Sequence, residues 1–316
     1  MPQGQPVSAY QYPAPGGKRQ LSASAHSQRL TPLLLVAPLV VALLAFAIYP
    51  LIYLIVLSGS KSLLGKPFQA WVGLDNFQTA FRDQAFLWSL VRSVGFAVPV
   101  TIVEVALGLG IAVLLQQSVR GGHVVRTLML LPLMTPPVMV AVAWKLILSP
   151  VGGLLNSTLF KLGLTDKPVS VLGSSTWAFP SVALADAWQW TPFITLLIFA
   201  ALQAQPDDVR QAATIDGASE WQIFRDITLP MLAPALVAVA LIRFIMALKL
   251  FDLVYALTAG GPGFDTTVAS FHIYRVALEK FNVGYAAALT LIFGLVVSLV
   301  TLPLVWLRDW SLRRWG

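Results

Sequence analysis

The residues able to do chemistry in this chain are few, and the densest run of them is Asp186-Ala187-Trp188-Gln189-Trp190-Thr191-Pro192. On a helix, Asp186, Gln189 and Trp190 fall at i, i+3 and i+4 and share one face. A carboxylate and an amide can bond hydroxyl groups, and an indole face stacks on a pyranose ring. Pro192 frees a backbone carbonyl one turn earlier, which suits a kink lining a cavity. The plainer alternative is interhelical hydrogen bonding, with the indoles anchoring at a membrane interface. Other charges set among apolar residues are Glu104, Lys145, Arg243, Lys249 and Asp252. Glu104 stands alone in its apolar run and either bonds a neighbouring helix or serves a site. Lys145 lies near a run's end and reaches for the interface. Lys249 and Asp252 are three apart and can neutralise one another.

None of these groups makes an enzyme. The chain has three histidines and no cysteine. It shows no metal-ligand pair and no nucleophile set against a base. No G-x-x-x-x-G-K-[ST] occurs, and Gly108 and Gly110 sit inside an apolar run rather than after a strand. The expectation is no metal and no cofactor bound by this chain.

The elements that must position these residues are membrane helices. Of 316 residues, 57% are hydrophobic and 11% charged, with net charge +7, and mean hydropathy is +0.76. Soluble domains run near 25% charged, so the bilayer is the natural solvent. The basic residues sit between apolar runs, which reads as topology signal and not as a nucleic-acid footprint. Spanning takes roughly 20 apolar residues. Six stretches qualify: about 31–57, 91–115, 125–148, 179–202, 232–257 and 286–307. Residues 1–29, rich in Pro, Gly, Gln and Ser, read as a disordered cytoplasmic tail, leaving 30–316 as the transmembrane domain. The run after the tail is too long for a secretory signal and no small-residue cleavage site closes it. An even span count puts both ends on one side. That side holds ten Lys and Arg against eight, with the bias strongest near span ends, so both termini are expected in the cytoplasm.

The connection at about 204–230 is the most informative. Pro206-Asp207-Asp208 starts a helix, since acids favour its positive N-terminal end. Asp216-Gly217 stops it. Ser219-x-x-Gln222 is a capping box for a second short helix, which Leu229-Pro230 is expected to end.

This loop resembles the EAA loop of bacterial ABC importer permeases. The likeness runs through Gln211, Ala212, Ala213, Asp216, Gly217, Ala218, Phe224, Ile227, Leu229 and Pro230. In that family the loop docks into a groove on the ATPase subunit and transmits its closure. Gln211 stands where the family has Glu, keeping an amide and losing the charge, and Arg210 replaces a frequent aromatic. Leu257-Thr258-Ala259-Gly260-Gly261-Pro262, Thr266-Thr267, Gly284-Tyr285-Ala286 and Gly73-Leu74-Asp75-Asn76-Phe77 extend the resemblance to the maltose-type sugar permeases, on the Gly-Gly-Pro-bearing partner. Val268 to Phe281 is an amphipathic helix candidate.

The resemblance implies an all-α membrane protein of six transmembrane helices with the type I importer core and cytoplasmic coupling helices. It implies a cytoplasmic (inner) membrane location and half of a carbohydrate pathway. The implied partners are a second homologous permease, two ATP-binding subunits that hold ATP and Mg, and an extracytoplasmic solute-binding protein. It further implies that Asp186, Gln189, Trp190 and Arg243 match sugar-contact positions. Arg is unusual there, which keeps a polyol or glycerol phosphate open and could favour an anionic substrate. An ion-coupled carrier is the reading from another class. Such carriers show two related halves with broken midplane helices, and no internal repeat is visible here.

Overall fold

The computed structural model describes residues 35–117 and 122–315; the expected tail, 1–29, lies outside them. The chain divides into two units, residues 1–53 and 54–316. The described part of the first belongs to helix α1, Leu35–Ser58, whose composition suffices to cross a membrane. A π-helical turn, Leu44–Ile48, interrupts it just ahead of Pro50. Proline lacks an N–H and crowds the carbonyl four residues back, and a wider turn absorbs both effects while the helix continues.

The second unit begins with a short antiparallel hairpin, β1 Ser60–Leu63 and β2 Lys66–Trp71. These ten residues are the strand among the described residues, and the rest of the fold is helical as expected. Helix α2, Asp75–Arg82, follows. Asn76 from the Gly-Leu-Asp-Asn-Phe segment donates Nδ2 to the carbonyls of Ser58 and Ser60, at 2.8 and 3.0 Å, which pins α2 to the base of the hairpin. Helix α3 is Gln84–Gln117. Asp83 caps it, Oδ1 accepting from the amides of Ala85 and Phe86. These amide bonds, with Tyr285 Oη on Oδ2 at 3.0 Å, hold the Asp83 carboxyl below its usual range, overcoming partial burial.

The third expected span is broken. Helices α4, Gly122–Met134, and α5, Pro137–Ile147, meet at 94° across Thr135-Pro136. Pro136 and Pro137 forbid the preceding residues the α conformation and remove two donors. The two halves still traverse the protein. Met129 of α4 packs with Leu115, Leu202 and Leu232 at the end next to the 204–219 loop. Val140 and Ala141 of α5 pack with Leu253, Leu257 and Phe271 at the opposite end. Helix α6, Leu154–Lys161, is short and peripheral.

Helix α7, Ala178–Gln203, is the most enclosed span and packs chiefly against α3. Helix α8 is Asp207–Ile215. Helix α9 runs from Glu220 to Leu248, where 232–257 was expected. The chain breaks at Lys249-Leu250, and Ser270 Oγ takes up the freed Leu250 carbonyl. A π-helical turn, Val254–Thr258, then leads to Ala259 with φ +50° and Gly260 with φ +81°. A Cβ on Gly260 would sit 2.7 Å from the Phe271 ring, so the Gly-Gly-Pro turn needs glycine there for both conformation and room. Thr266 and Thr267 hold its carbonyls, donating to Gly261 O at 2.8 Å and Gly260 O at 3.1 Å. The amphipathic candidate appears as α10, Ala269–Tyr274, extended by a π turn to Glu279. Helix α11, Val283–Trp315, closes the fold against α9.

Candidate functional site

The four residues proposed for a substrate path are brought together. Asp186, Gln189 and Trp190 of α7 and Arg243 of α9 line one cavity of about 190 Å³. Pro137, Met246, Lys249 and Asp252 also line it. The shared face of α7 is therefore real, and the i, i+3, i+4 spacing of the sequence found it. Trp188 lies off that face, exposed and edge-on to Trp144 at 6.3 Å.

The charges pair across spans. Glu104, on α3, bonds a neighbouring helix, one of its two expected roles. Its Oε2 accepts from Arg243 Nε and its Oε1 from Nη2 at 2.9 Å. The same Nη2 also donates to Asp186 Oδ2. Arg243, Glu104 and Asp186 are 1%, 0% and 2% exposed, so the triad is buried among three spans and ties α3, α7 and α9 together. Two of its contacts sit on one fork face of a guanidinium, the arrangement that planar group favours. The Trp190 ring lies 5.7 Å from the guanidinium carbon, within cation–π reach. The sequence signal for this triad was a single Glu in one apolar run and a single Arg in another, which is how intramembrane charges find partners.

Gln189 is also fixed. Its Nε2 donates to Thr135 O at 3.0 Å, at the break between α4 and α5. Its Oε1 is buried and has no partner. Lys249 and Asp252 do not form an ion pair with each other; both open on the cavity. Lys145 is exposed and reaches Ala256 O at 3.3 Å. Among the described residues there is no cluster of His, Asp or Glu that could hold a metal.

The loop at 204–230 forms two elements joined at Gly217. Asp207 and Asp208 occupy the first turn of α8. Gly217 takes φ +83°, its N–H bonding Thr214 O, while Ala218 N bonds Ala213 O. That is the paired ending in which a left-handed residue closes a helix. The capping box is present, Ser219 N donating to Gln222 Oε1 at 2.8 Å and Gln222 N to Ser219 Oγ at 3.4 Å. Arg210 bonds Glu220 at 2.8 Å across the turn, and Gln205 Nε2 donates to Thr228 O across the base. Gln211, Ala212 and Asp216 are exposed, Ala213 is half-buried, and Ile215 is 86% exposed at the tip.

Leu229-Pro230 does not end the second helix. A π-helical turn, Phe224–Thr228, absorbs Pro230 as the one in α1 absorbs Pro50, and α9 continues unbroken from the loop to Leu248. Behind the loop, a second cavity of about 660 Å³ lies between α3 and Arg210, Trp221 and Phe224.

Comparison with known proteins agrees with this geometry. Residues 104–316 match the family described as binding-protein-dependent transport system inner membrane component. The trehalose/maltose transport system permease protein MalF of Thermococcus litoralis is 37% identical over 284 residues, covering 89% of this chain and 94% of that protein. The trehalose transport system permease protein SugA of Mycobacterium tuberculosis is 31% identical over 278 residues, covering 87% and 88%. Among solved structures, a bacterial ABC transporter involved in the import of the acidic polysaccharide alginate superposes with TM-score 0.79 at 25% identity, covering 92% of this chain and 98% of that one. With its triad, its broken third span and its hinged loop, this chain belongs to the binding-protein-dependent transport system inner membrane component family.

Proposed function

We propose that this multi-pass permease moves a neutral carbohydrate, mono- or oligosaccharide, as half of the pathway of an ATP-driven importer. The observation that carries the reading is the cavity that gathers Asp186, Gln189, Trp190 and Arg243 in a chain of this family. Its hydrogen-bonding groups and its indole suit a hydroxylated ring, and the trehalose and maltose permeases among its relatives point the same way. The glycerol phosphate alternative rested on the unusual Arg243, whose guanidinium is held by two carboxylates. Family membership excludes the ion-coupled carrier.

The substrate arrives on an extracytoplasmic solute-binding protein. A second homologous permease completes the pathway. Two ATP-binding subunits, which hold the ATP and Mg, dock on the 204–230 loop. Gln211, Ala212, Ala213, Asp216, Gly217, Phe224, Leu229 and Pro230 make up that coupling element. Its exposed Ile215 tip and its continuity with α9 support the role, since a helix that enters the bilayer without a joint moves as one body with whatever grips its outer end.

In proteoliposomes holding the complete transporter, Trp190→Ala is expected to lower transport of ring sugars by about threefold to tenfold, a loss of ~0.5–1.5 kcal/mol of ring contact. Open-chain polyols should lose less. Assembly and ATPase stimulation by the loaded binding protein are expected to persist; a variant that fails to assemble would assign Trp190 to packing alone.

Both termini face the cytoplasm in this reading, supported by the basic residues near the span ends. The chain has no native cysteine, so labelling is clean. Cysteines at Lys66 and at Asp166 are expected to react only from outside, and one at Ser219 only from the cytoplasm. Labelling of positions 66 and 166 from opposite sides would mean that α4 and α5 enter and leave on the same face.

A further inference from the structure

Arg243 has five N–H bonds to place. Nε and Nη2 are taken by Glu104 and Asp186, and the Nη1 pair has no partner among the described residues. Arg243 lines the cavity and Glu104 does not, so the Glu104 carboxylate acts on the cavity only through the guanidinium. Two carboxylates against one guanidinium give the triad a formal charge of −1, or zero where a proton is shared. It is never positive. Lys249 and Asp252, the remaining charges on the lining, sum to zero formal charge.

The second observation is Gln189. With Nε2 on Thr135 O, its buried Oε1 is an acceptor without a donor. Buried acceptors left empty are costly, so this one favours a ligand bearing O–H or N–H. A hydroxyl can accept from Arg243 Nη1 and donate to Gln189 Oε1. A carboxylate or sulfate can only accept, and it meets no net positive charge. The fold does not impose this preference, because the alginate importer shares it and moves an acidic polysaccharide.

We propose that Glu104 is a positioning residue that sets charge selectivity: it cancels Arg243 and turns the free guanidinium edge into a neutral hydrogen-bond donor, so that the path accepts uncharged hydroxylated ligands and rejects anionic ones. The inference rests on the proposed carbohydrate pathway, and its test separates the two.

Met246 lines the cavity, and Met246→Cys gives the chain a single thiol there. In the complete complex, its alkylation by N-ethylmaleimide is followed with increasing glucose or glucuronate, which differ only in the C6 carboxylate. Glucose is expected to protect the thiol and glucuronate not to. In Glu104→Gln the glucose-to-glucuronate protection ratio should fall by about tenfold or more, the effect of removing one unit charge several ångströms away at moderate screening. Glu104→Asp, which keeps the charge, should restore the original ratio, a recovery that a merely structural role would not require. Asp186→Asn removes the same unit charge from the other side and should shift the ratio in the same direction, so the test survives if Glu104→Gln does not assemble. Protection by glucose with a ratio unchanged in both charge-removing variants overturns the proposal and leaves the pathway standing. If neither sugar protects the parent thiol, the pathway reading falls and the proposal with it.

Discussion

Arg243→Ala is expected to destabilise the permease more than any other single change. Glu104 and Asp186, both effectively unexposed, would face each other in the bilayer with no cation between them. Breaking a buried ion pair by removing one partner costs about 3–5 kcal/mol, because an uncompensated charge stays behind. Against the ~5–15 kcal/mol that holds a domain folded, that is a large share. The measurement is the melting temperature and yield of the purified complex, and a wild-type melting temperature would show that the triad is not an ionic unit. The companion variant is Glu104→Leu with Asp186→Leu and Arg243→Met. It removes all three charges and is expected to recover much of the stability, because apolar replacement of a whole buried ionic group is often neutral or better. It should recover no transport. That non-additivity marks residues acting as one group.

The second large effect is Gly217→Val, which is expected to uncouple ATP hydrolysis from transport. Gly217 sits at φ +83°, where a β-branched residue is a strong outlier. The strain, of order 1–2 kcal/mol, falls on an exposed turn, so the spans should still fold. What changes is the direction in which the chain leaves α8. The paired bonds from Gly217 and Ala218 loosen, and with them the link that Arg210 and Glu220 make across the turn. Sugar moved per ATP hydrolysed should drop by at least about tenfold while basal ATPase activity persists. Gly217→Asn is the control, since Asn tolerates the left-handed region, and it should retain most of the coupling. Equal coupling in the Val and Asn variants would remove the turn from the mechanism.

Local chemistry was the legible part of this sequence. Ser219 and Gln222 make their capping box, Gly217 its turn, and the Asp186, Gln189, Trp190 face its cavity because each depends on spacings of a few residues. The family followed from the same loop. Pairings across spans were not legible, since nothing local to Glu104 names a partner 139 positions away. Lys249 and Asp252 misled for the opposite reason: their spacing suits a helix, and α9 stops at Leu248. Pro230 misled as well. It was read as a stop, whereas the π turn before it lets α9 pass through. The hairpin at 60–71 was hidden because its second strand, exposed throughout, has no alternating pattern to betray it.

The break at Thr135-Pro136 has a consequence for how the protein is made. Helices α4 and α5 have 13 and 11 residues, each short of the roughly 20 that a segment needs to partition into lipid unaided. Neither half can therefore span the bilayer by itself, and only the two together are long and apolar enough. Among the described residues, the Thr135 carbonyl at the bend has its donor in Gln189, which is synthesised 54 residues later. The bend of the third segment is thus completed by a residue of the fourth, so the order of synthesis and the order in which these two segments reach their final form differ at this point in the chain.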